Sequence, residues 1–258
     1  MQGQKLILFD FDGVIVDGLE EYWHSSLFAC KKYLSSKEIS TQLDLNQEVS
    51  KTFITLRPWV KYGWEMLIIT HEIVKNNEPL DNSKVLDFVN KYEENCLQVM
   101  EKNSWNPEKL QKYLDQARKS QINADFKKWV DKHIPFKEVL SLIKVAEKRN
   151  IKVGIITTKG EAFASKILKE MNILPQLIFG YESGSKVEII SKLVEEYKVI
   201  GFVEDRKKTL INVSENQNTS SVPCYLAEWG YLKEKDRLNL PDNIKLIKLK
   251  DLKDLLAY

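Results

Sequence analysis

The chain has 258 residues, of which 43% are hydrophobic and 29% charged, as in ordinary packed globular proteins. Its 39 basic and 37 acidic residues leave a formal net charge of +2, which gives no support to nucleic acid or another polyanion as a partner. No apolar run reaches the roughly 18 residues of a membrane span, and no secretory signal pattern precedes the first apolar stretch. We therefore expect no membrane partner and a cytoplasmic location.

The three cysteines, Cys30, Cys96 and Cys224, are odd in number, far apart, and form no CxxC pair. This spacing predicts neither a disulfide framework nor a zinc site, and we expect each cysteine to be a small buried apolar residue. The histidines lack metal-ligand spacing, and the sequence contains neither a GxSxG nor an HExxH motif. Serine-hydrolase and zinc-protease functions therefore have no support.

The first predicted element is the apolar run over residues 6–9, which ends in two aspartates, Asp10 and Asp12, followed by Gly13. Such a run is typical of a buried strand in a parallel sheet, and ligands bind beyond the carboxyl ends of such strands. Residues i and i+2 of an extended chain point the same way, so both carboxylates can face one small ligand. The spacing alone leaves an alternative open, a surface turn with two solvated acids.

Residues 19–132 follow, with helical spacing of apolar side chains and almost no strand pattern. Apolar side chains over 85–99 recur at three and four residues, and Pro107 with Asn106 before it predicts a helix start. Another helix is expected over 62–76. This region is therefore predicted to be all-helical.

After Pro135 the pattern changes to strands that alternate with helices, which predicts βαβ units and a parallel sheet. The predicted strands are 152–156, 177–179, 199–203, 222–226 and 244–249, and the predicted helices are 136–149, one that ends near Lys169, 185–197 and 252–257. A mobile polar connection is expected over 214–221.

The strand that ends at Asp10 has to join this sheet, which fixes the predicted domain organisation. The fold class is α/β, with a Rossmann-like parallel sheet core that carries helices on both faces. Residues 1–16 and 134–258 form this core, and residues 17–133 form an all-α domain inserted after the first strand.

Three of the predicted strands end in polar side chains, which parallel pairing brings to one edge of the sheet. These side chains are Asp10 and Asp12, then Thr157 and Thr158, then Glu204 and Asp205. Lys186 opens a predicted helix, with Gly184 and Ser185 before it as turn and N-cap. A cation is what an acidic cluster of this kind requires.

The order of DxDG, a strand that ends in Thr, a helix-opening Lys and a strand that ends in acids resembles the haloacid dehalogenase superfamily, over residues 6 to about 210. The resemblance implies a hydrolase of the phosphatase type with a helical cap of the C1 kind. Residues 17–133 would be that cap, because the interval from Thr157 to Lys186 holds a helix and a strand but no second cap. Cap closure would use hinges near residues 17–18 and 134–135.

By this resemblance Asp10 is the nucleophile that forms an aspartyl phosphate, and Asp12 is the general acid and base. The Thr157 hydroxyl and the Lys186 ammonium group would hold the phosphoryl oxygens. Thr158 is an alternative to Thr157 for this contact. The alternative without a catalytic role is that Thr157 is a simple strand residue and that Lys186 is one more exposed lysine.

The resemblance also implies Mg²⁺ as the cofactor, with the Asp10 side chain, the Asp12 backbone carbonyl and Asp205 as ligands. The acidic motif departs from the family pattern, because Glu204 stands where glycine is common and Thr209 where a second aspartate is common. Either Glu204 joins the metal ligands in a paired-acid version of the motif, or metal binding is weaker.

The sequence thus predicts a Mg²⁺-dependent phosphatase whose partner is a small-molecule phosphate ester. Two alternatives stay open. One is a sugar-phosphate mutase or other phosphotransferase that uses the same intermediate, and the other is a noncatalytic regulatory binding protein of the same fold. In the helical domain, aromatic and cationic side chains suited to phosphates and sugars are candidate substrate contacts: Arg57, Lys61, Tyr62 and Trp64.

Overall fold

The computed structural model describes residues 3–34, 43–75 and 78–256. The chain divides into two compact units, Met1–Asp17 with Ile134–Tyr258, and Gly18–His133. The first unit is therefore built from both ends of the chain, and the second from the segment between them. None of the helices in the described ranges combines the length and apolar character that a membrane crossing requires.

The first unit is built on a six-stranded sheet in which every pairing is parallel. The strands, numbered along the chain, are β1 (Lys5–Phe9), β2 (Val16–Asp17), β3 (Ile134–Pro135), β4 (Lys152–Ile156), β5 (Leu177–Phe179), β6 (Lys198–Glu204), β7 (Cys224–Ala227) and β8 (Ile244–Ile247). Their order in the sheet is β5-β4-β1-β6-β7-β8, while β2 and β3 form a separate antiparallel pair. The predicted α/β class with a Rossmann-like sheet is confirmed.

Helices make up most of the rest of the described chain. The α-helices are α1 (Leu19–Ala29), α2 (Lys51–Leu56), α3 (Glu65–Val74), α4 (Val85–Asn90), α5 (Tyr92–Lys102), α6 (Pro107–Ala124), α7 (Phe126–Val130), α8 (Lys137–Lys148), α9 (Glu161–Glu170), α10 (Lys186–Glu196) and α11 (Lys207–Glu215). Helices α1 to α7 lie in the Gly18–His133 unit, and α8 to α11 lie around the sheet of the first unit. The predicted start of α6 is confirmed, because the Asn106 side chain accepts a hydrogen bond from the Lys109 amide and Pro107 takes the first helical position.

Strand β1 lies between β4 and β6 in the sheet. Phe9, its last residue, pairs with Ile155 of β4 and with Val203 of β6. The three strands therefore end at nearly the same level, and the residues that follow them meet at one edge of the sheet. The apolar run of β1 is buried from Leu6 to Phe9, as expected for a strand covered on both faces.

Each unit has a hydrophobic core of its own. In the first unit, side chains of the sheet such as Leu8 and Phe202 pack with Ile190 of α10. In the second unit, Trp23 of α1 and Leu67 of α3 belong to one buried cluster. The three cysteines are all buried and free, so the prediction that they are small buried apolar residues is confirmed.

A buried ion pair joins α1 to α6 inside the second unit. Arg118 donates from Nε to Oε1 of Glu21 at 2.8 Å and from a terminal nitrogen to Oε2 at 3.0 Å, and both side chains are fully buried. His133 Nε2 lies 3.7 Å from Oε2 of the same glutamate. The two side chains are joined by two hydrogen bonds inside the core. Removal of either partner would destabilise the fold, because the other would remain as an unpaired buried charge.

Two predicted elements differ from the structure. The closing helix, predicted over 252–257, is a 3₁₀ helix that begins earlier, over Leu249–Leu256, and position 257 lies outside the described residues. Its leucines at 249, 252 and 255 recur every three residues, the period of a 3₁₀ helix. The predicted mobile connection over 214–221 begins inside α11, which continues to Glu215. The connection is also anchored by the buried Thr219, whose hydroxyl donates to the Val213 carbonyl at 2.6 Å.

Candidate active site

Asp10 directly follows the central strand β1, and its side chain is 10% exposed. Its amide donates to the carbonyl of Val203 at 2.9 Å, so the backbone pairing between β1 and β6 continues through this residue. This pairing places the Asp10 carboxylate beside the residues that end β6. The position of Asp10, the first of the predicted acids, is therefore determined by backbone pairing in the sheet.

Lys186 reaches this carboxylate from the first residue of α10. Gly184 has a φ of 103°, a conformation that favours glycine, and Ser185 forms a capping box with Glu188. The Lys186 ammonium nitrogen donates to Asp10 Oδ1 at 2.5 Å and to Glu204 Oε2 at 2.6 Å. The predicted turn and N-cap are confirmed, and their effect is to hold this ammonium group between two buried carboxylates.

Glu204 is the last residue of β6, Asp205 follows it, and both are buried. Glu204 Oε1 accepts hydrogen bonds from the amides of Asp205 at 2.9 Å and Arg206 at 3.0 Å, while Oε2 accepts from Lys186. Both oxygens of Glu204 are therefore engaged by protein donors. One carboxylate oxygen each of Asp10, Glu204 and Asp205 lie within 4.8 Å of one another.

Burial and mutual repulsion shift the protonation of this cluster. Burial, reinforced by the charge of Glu204, raises the pKa of Asp10 from 3.8 to about 7, although the Lys186 ammonium group acts in the opposite direction. Burial also raises the pKa of Glu204, with the charge of Asp205 adding to it. Burial disfavours the charged form of Lys186, yet Asp10 and Glu204 together raise its pKa above the usual range.

Two glycines let the loop after β1 and the loop after β7 lie close to Asp205. Gly13 has a φ of 91°, and a Cβ there would lie 2.1 Å from Asp205 Oδ2. A Cβ on Gly230 would lie 2.2 Å from the Asp205 Cβ. The Tyr231 amide donates to Asp205 Oδ2 at 2.8 Å, so the carboxylate is oriented by the backbone that these glycines admit.

Asp12 and Thr157 lie at the same edge of the sheet and share a neighbour. Lys159, fully buried, has its ammonium nitrogen 3.6 Å from Asp12 Oδ1, and its amide donates to Thr157 Oγ1 at 3.0 Å. Thr157 is buried, whereas Thr158 is half-buried. Because Thr157 Oγ1 accepts from an amide, its own hydrogen is available for donation to a ligand oxygen.

The predicted site residues thus meet at one edge of the sheet, and the structure adds two that sequence reasoning missed. Lys159 carried a weak signal, a lysine three residues past a strand end. Tyr231 carried almost none, although its hydroxyl donates to Asp17 Oδ1 at 2.5 Å and its amide to Asp205. Thr209, on α11, offers no carboxylate to the cluster, so the second aspartate of the family pattern has no substitute at that position.

The four candidate substrate contacts lie in the second unit. Arg57 is buried, with its guanidinium carbon 5.9 Å from the centre of the Tyr22 ring. Tyr62 is exposed and stacks on Trp64 with ring centres 5.9 Å apart, and the Lys61 ammonium nitrogen lies 5.3 Å from the Tyr62 ring. Their contact with substrate stays a prediction.

The donor chemistry of the site fits a small divalent cation. Its potential ligands are carboxylate oxygens, which Mg²⁺ prefers, and they converge at a strand edge. The negative groups are Asp10, Asp12, Glu204 and Asp205, and the ammonium groups beside them are Lys159 and Lys186. Four carboxyl groups against two ammonium groups leave an excess of negative charge when all are ionised. A bound cation would offset it and lower the pKa of Asp10.

Comparisons with known proteins give a family and a fold. A family model described as hydrolase: haloacid dehalogenase-like hydrolase matches residues 4–208. A search of curated proteins finds no match. Among solved structures, a predicted phosphatase from Clostridium acetobutylicum is 15% identical with a TM-score of 0.61, and 100% of each chain is covered.

Two further structures are similar in fold. A haloacid dehalogenase-like family protein from Streptococcus pneumoniae is 16% identical, with a TM-score of 0.57 and 97% of each chain covered. Protein tyrosine kinase A from Mycobacterium tuberculosis is 13% identical, with a TM-score of 0.58 and 100% of each chain covered. Proteins named for different reactions share this fold, so the reaction has to be argued from the site.

Proposed function

Because the chain belongs to the haloacid dehalogenase-like hydrolases, we propose that it is a Mg²⁺-dependent phosphatase that hydrolyses a small phosphorylated metabolite through an aspartyl phosphate. The observation that carries this proposal is the contact of the Asp10 carboxylate, at the end of the central strand, with the Lys186 ammonium group inside a buried acidic cluster. This contact supports a nucleophilic role for Asp10, because a carboxylate beside an ammonium group lies next to a cation that can bind phosphoryl oxygens.

In the first step, a carboxylate oxygen of Asp10 attacks phosphorus and the bond from phosphorus to the ester oxygen breaks. The leaving oxygen takes its proton from the carboxylic acid form of Asp12. In the second step, water attacks phosphorus of the aspartyl phosphate and gives a proton to the Asp12 carboxylate. The bond from phosphorus to Asp10 breaks, inorganic phosphate leaves, and both aspartates return to their starting forms.

The phosphoryl oxygens are held by Lys186 and Thr157 in this proposal. Lys186 is the half-buried ammonium group in contact with Asp10, and the hydroxyl of Thr157 has its oxygen oriented by the Lys159 amide. Both groups favour the charge that spreads over the equatorial oxygens during transfer. Glu204, which accepts from Lys186 and from two amides, would fix the ammonium group in place.

Mg²⁺ would be held by the Asp10 side chain, the Asp12 backbone carbonyl and Asp205, with Glu204 as the remaining acid of the cluster. When bound, the ion supplies positive charge that draws the phosphate ester to the carboxylates and stabilises the transferring group. Because both oxygens of Glu204 already accept hydrogen bonds, we assign it primarily to Lys186 rather than to the metal.

The second unit is proposed to be the cap that selects the substrate, with the exposed Tyr62 and its neighbour Lys61 among its candidate contacts. We also propose a cytoplasmic location. Its support is that all three cysteines are free in the fold, as is usual in a reducing compartment.

Release of inorganic phosphate from a panel of phosphate esters, with Mg²⁺ and with excess EDTA, tests the proposal. Sugar phosphates, glycerol phosphate, nucleotides and acetyl phosphate should include at least one ester hydrolysed only with Mg²⁺, and Asp10→Asn should abolish that release. Exchange of phosphate between isomers without release would indicate a mutase instead. No turnover of any ester would favour a noncatalytic binding protein.

Substitution of Asp12 distinguishes an effect on proton transfer from an effect on metal binding. Asp12→Ala should lower turnover by about 10²-fold or more, since it removes the acid and base, while Mg²⁺ affinity stays largely intact because only a backbone oxygen is proposed as ligand. Mg²⁺ affinity is measured by calorimetry without substrate. Loss of Mg²⁺ binding in this variant would contradict the ligand assignment.

A further inference from the structure

Lys159 is a fully buried lysine that the steps above do not use. It lies in the loop between β4 and α9, and its ammonium nitrogen is 3.6 Å from Oδ1 of Asp12, whose side chain is also buried. A buried ammonium group is costly unless it is paired, and an apolar side chain of similar size usually serves stability at least as well. A charged side chain at this buried position, beside Asp12, is therefore better explained by a role in the active site than by stability.

The backbone around Lys159 is held in place by hydrogen bonds to neighbouring elements. The amide of Thr157 donates to the Phe179 carbonyl at 2.9 Å, and the Tyr181 amide donates to the Lys159 carbonyl at 3.3 Å. The Lys159 amide in turn donates to Thr157 Oγ1. The side chain therefore extends from a fixed origin at the end of β4 to the loop that follows β1.

We propose that Lys159 is a positioning residue that holds the Asp12 carboxyl group in place for proton transfer. With Oδ1 of Asp12 directed at Lys159, Oδ2 is the oxygen that gives its proton to the leaving group and later takes one from water. A general acid has to stay within hydrogen-bond reach of the atom it protonates, which a charged partner in a rigid loop secures. This inference rests on the proposed function, because it assigns a partner to the acid of that reaction.

The inference predicts that Lys159 affects the first step, phosphoryl transfer to Asp10, only where the leaving group needs a proton. An alkyl phosphate releases a strongly basic oxygen, whereas acetyl phosphate releases a stable carboxylate without protonation. In single-turnover measurements of this first step, Lys159→Met should therefore lower the rate for an alkyl phosphate such as glycerol phosphate by about 10²-fold and the rate for acetyl phosphate by less than about threefold. KM for both substrates and the Mg²⁺ affinity should change little, because neither depends on the proton.

The matched control is Lys152→Met, the same substitution at the other end of β4, which should leave both rates unchanged. Lys159→Arg keeps the charge and should recover part of the alkyl phosphate rate. Asp12→Asn should show the same dependence on leaving group as Lys159→Met. Adding Lys159→Met to Asp12→Asn should cause little further loss, because both act on one proton transfer.

Circular dichroism checks folding, and Lys159→Gln, which keeps a polar side chain, replaces the methionine variant if that variant does not fold. Equal losses of the first-step rate on both substrates, or an unchanged first-step rate for the alkyl phosphate, would overturn the inference while leaving the phosphatase proposal standing. A wild-type protein that hydrolyses no ester would overturn the proposed function itself, and the role of Lys159 in turnover with it.

Discussion

Asp10 makes the stability of the metal-free protein depend on pH in a direction opposite to that of an ordinary aspartate. Its pKa is raised from 3.8 to about 7, because the folded protein buries the carboxyl group and places Glu204 beside it. Between these two values the unfolded chain has released the proton and the folded protein still holds it. Folding then takes up a proton, so stability falls as pH rises through this window and levels off above about pH 7.

The size of the effect follows from the shift. Each unit of pKa difference corresponds to about 1.4 kcal/mol, which gives about 4 kcal/mol over the whole window and about 3 kcal/mol between pH 5 and pH 8. Asp10→Asn has nearly the same shape and no titrating proton. We therefore expect the free energy of unfolding of the wild type to fall by about 3 kcal/mol relative to Asp10→Asn between pH 5 and pH 8.

Urea unfolding followed by circular dichroism, in EDTA and at half-unit steps from pH 5 to pH 8, measures this difference. Titrating groups that do not interact with Asp10 are common to both proteins and cancel in the comparison. Asp242→Asn, the same change at an exposed position of the same unit, is the matched control. A difference between wild type and Asp10→Asn that stays constant with pH, or that grows in favour of the wild type, would refute the reasoning.

Three further predictions concern the metal and its surroundings. Saturating Mg²⁺ should raise the free energy of unfolding by about 2.7 kcal/mol at one hundred times its dissociation constant, and more Mg²⁺ should be required at pH 5 than at pH 8, because the acids must ionise to bind. No rise in urea titrations at either pH would contradict the metal site. Gly13→Ala should weaken Mg²⁺ binding about tenfold or more, measured by calorimetry, because its Cβ would lie 2.1 Å from Asp205 Oδ2; unchanged affinity would contradict that placement. Thr157→Val should lower kcat/KM by about 10²-fold in steady-state assays and Thr158→Val only slightly, and the reverse order would transfer the phosphoryl contact to Thr158.

The local elements of the site were predictable because their signals lie within short stretches of sequence. The apolar run before Asp10 predicted a buried strand, and a serine after glycine predicted the N-terminus of the helix that starts at Lys186. Pro107 after Asn106 marked a helix start in the same way. In each case neighbouring residues determine the backbone conformation, and packing at a distance only has to agree with it.

The closing segment and the linkers were less predictable. Leucines at three-residue intervals fit either an α-helix or a 3₁₀ helix, and the structure has a 3₁₀ helix over Leu249–Leu256. The antiparallel pair of β2 and β3 joins Asp17 to Ile134, residues far apart in the chain. Short pairings of this kind leave almost no periodic pattern for sequence reasoning to detect.

The sequence by itself determined that acids, threonines and a lysine would follow successive strands and meet at one edge of a parallel sheet. Tertiary structure alone decided which of them touch. The order β4-β1-β6 brings Asp10 to Lys186 and Asp12 to the Lys159 ammonium group, across separations in the chain that no local rule spans. The physical reason is that backbone conformation is set mainly by neighbours in sequence, whereas the charges around a buried carboxylate are set by how strands pair.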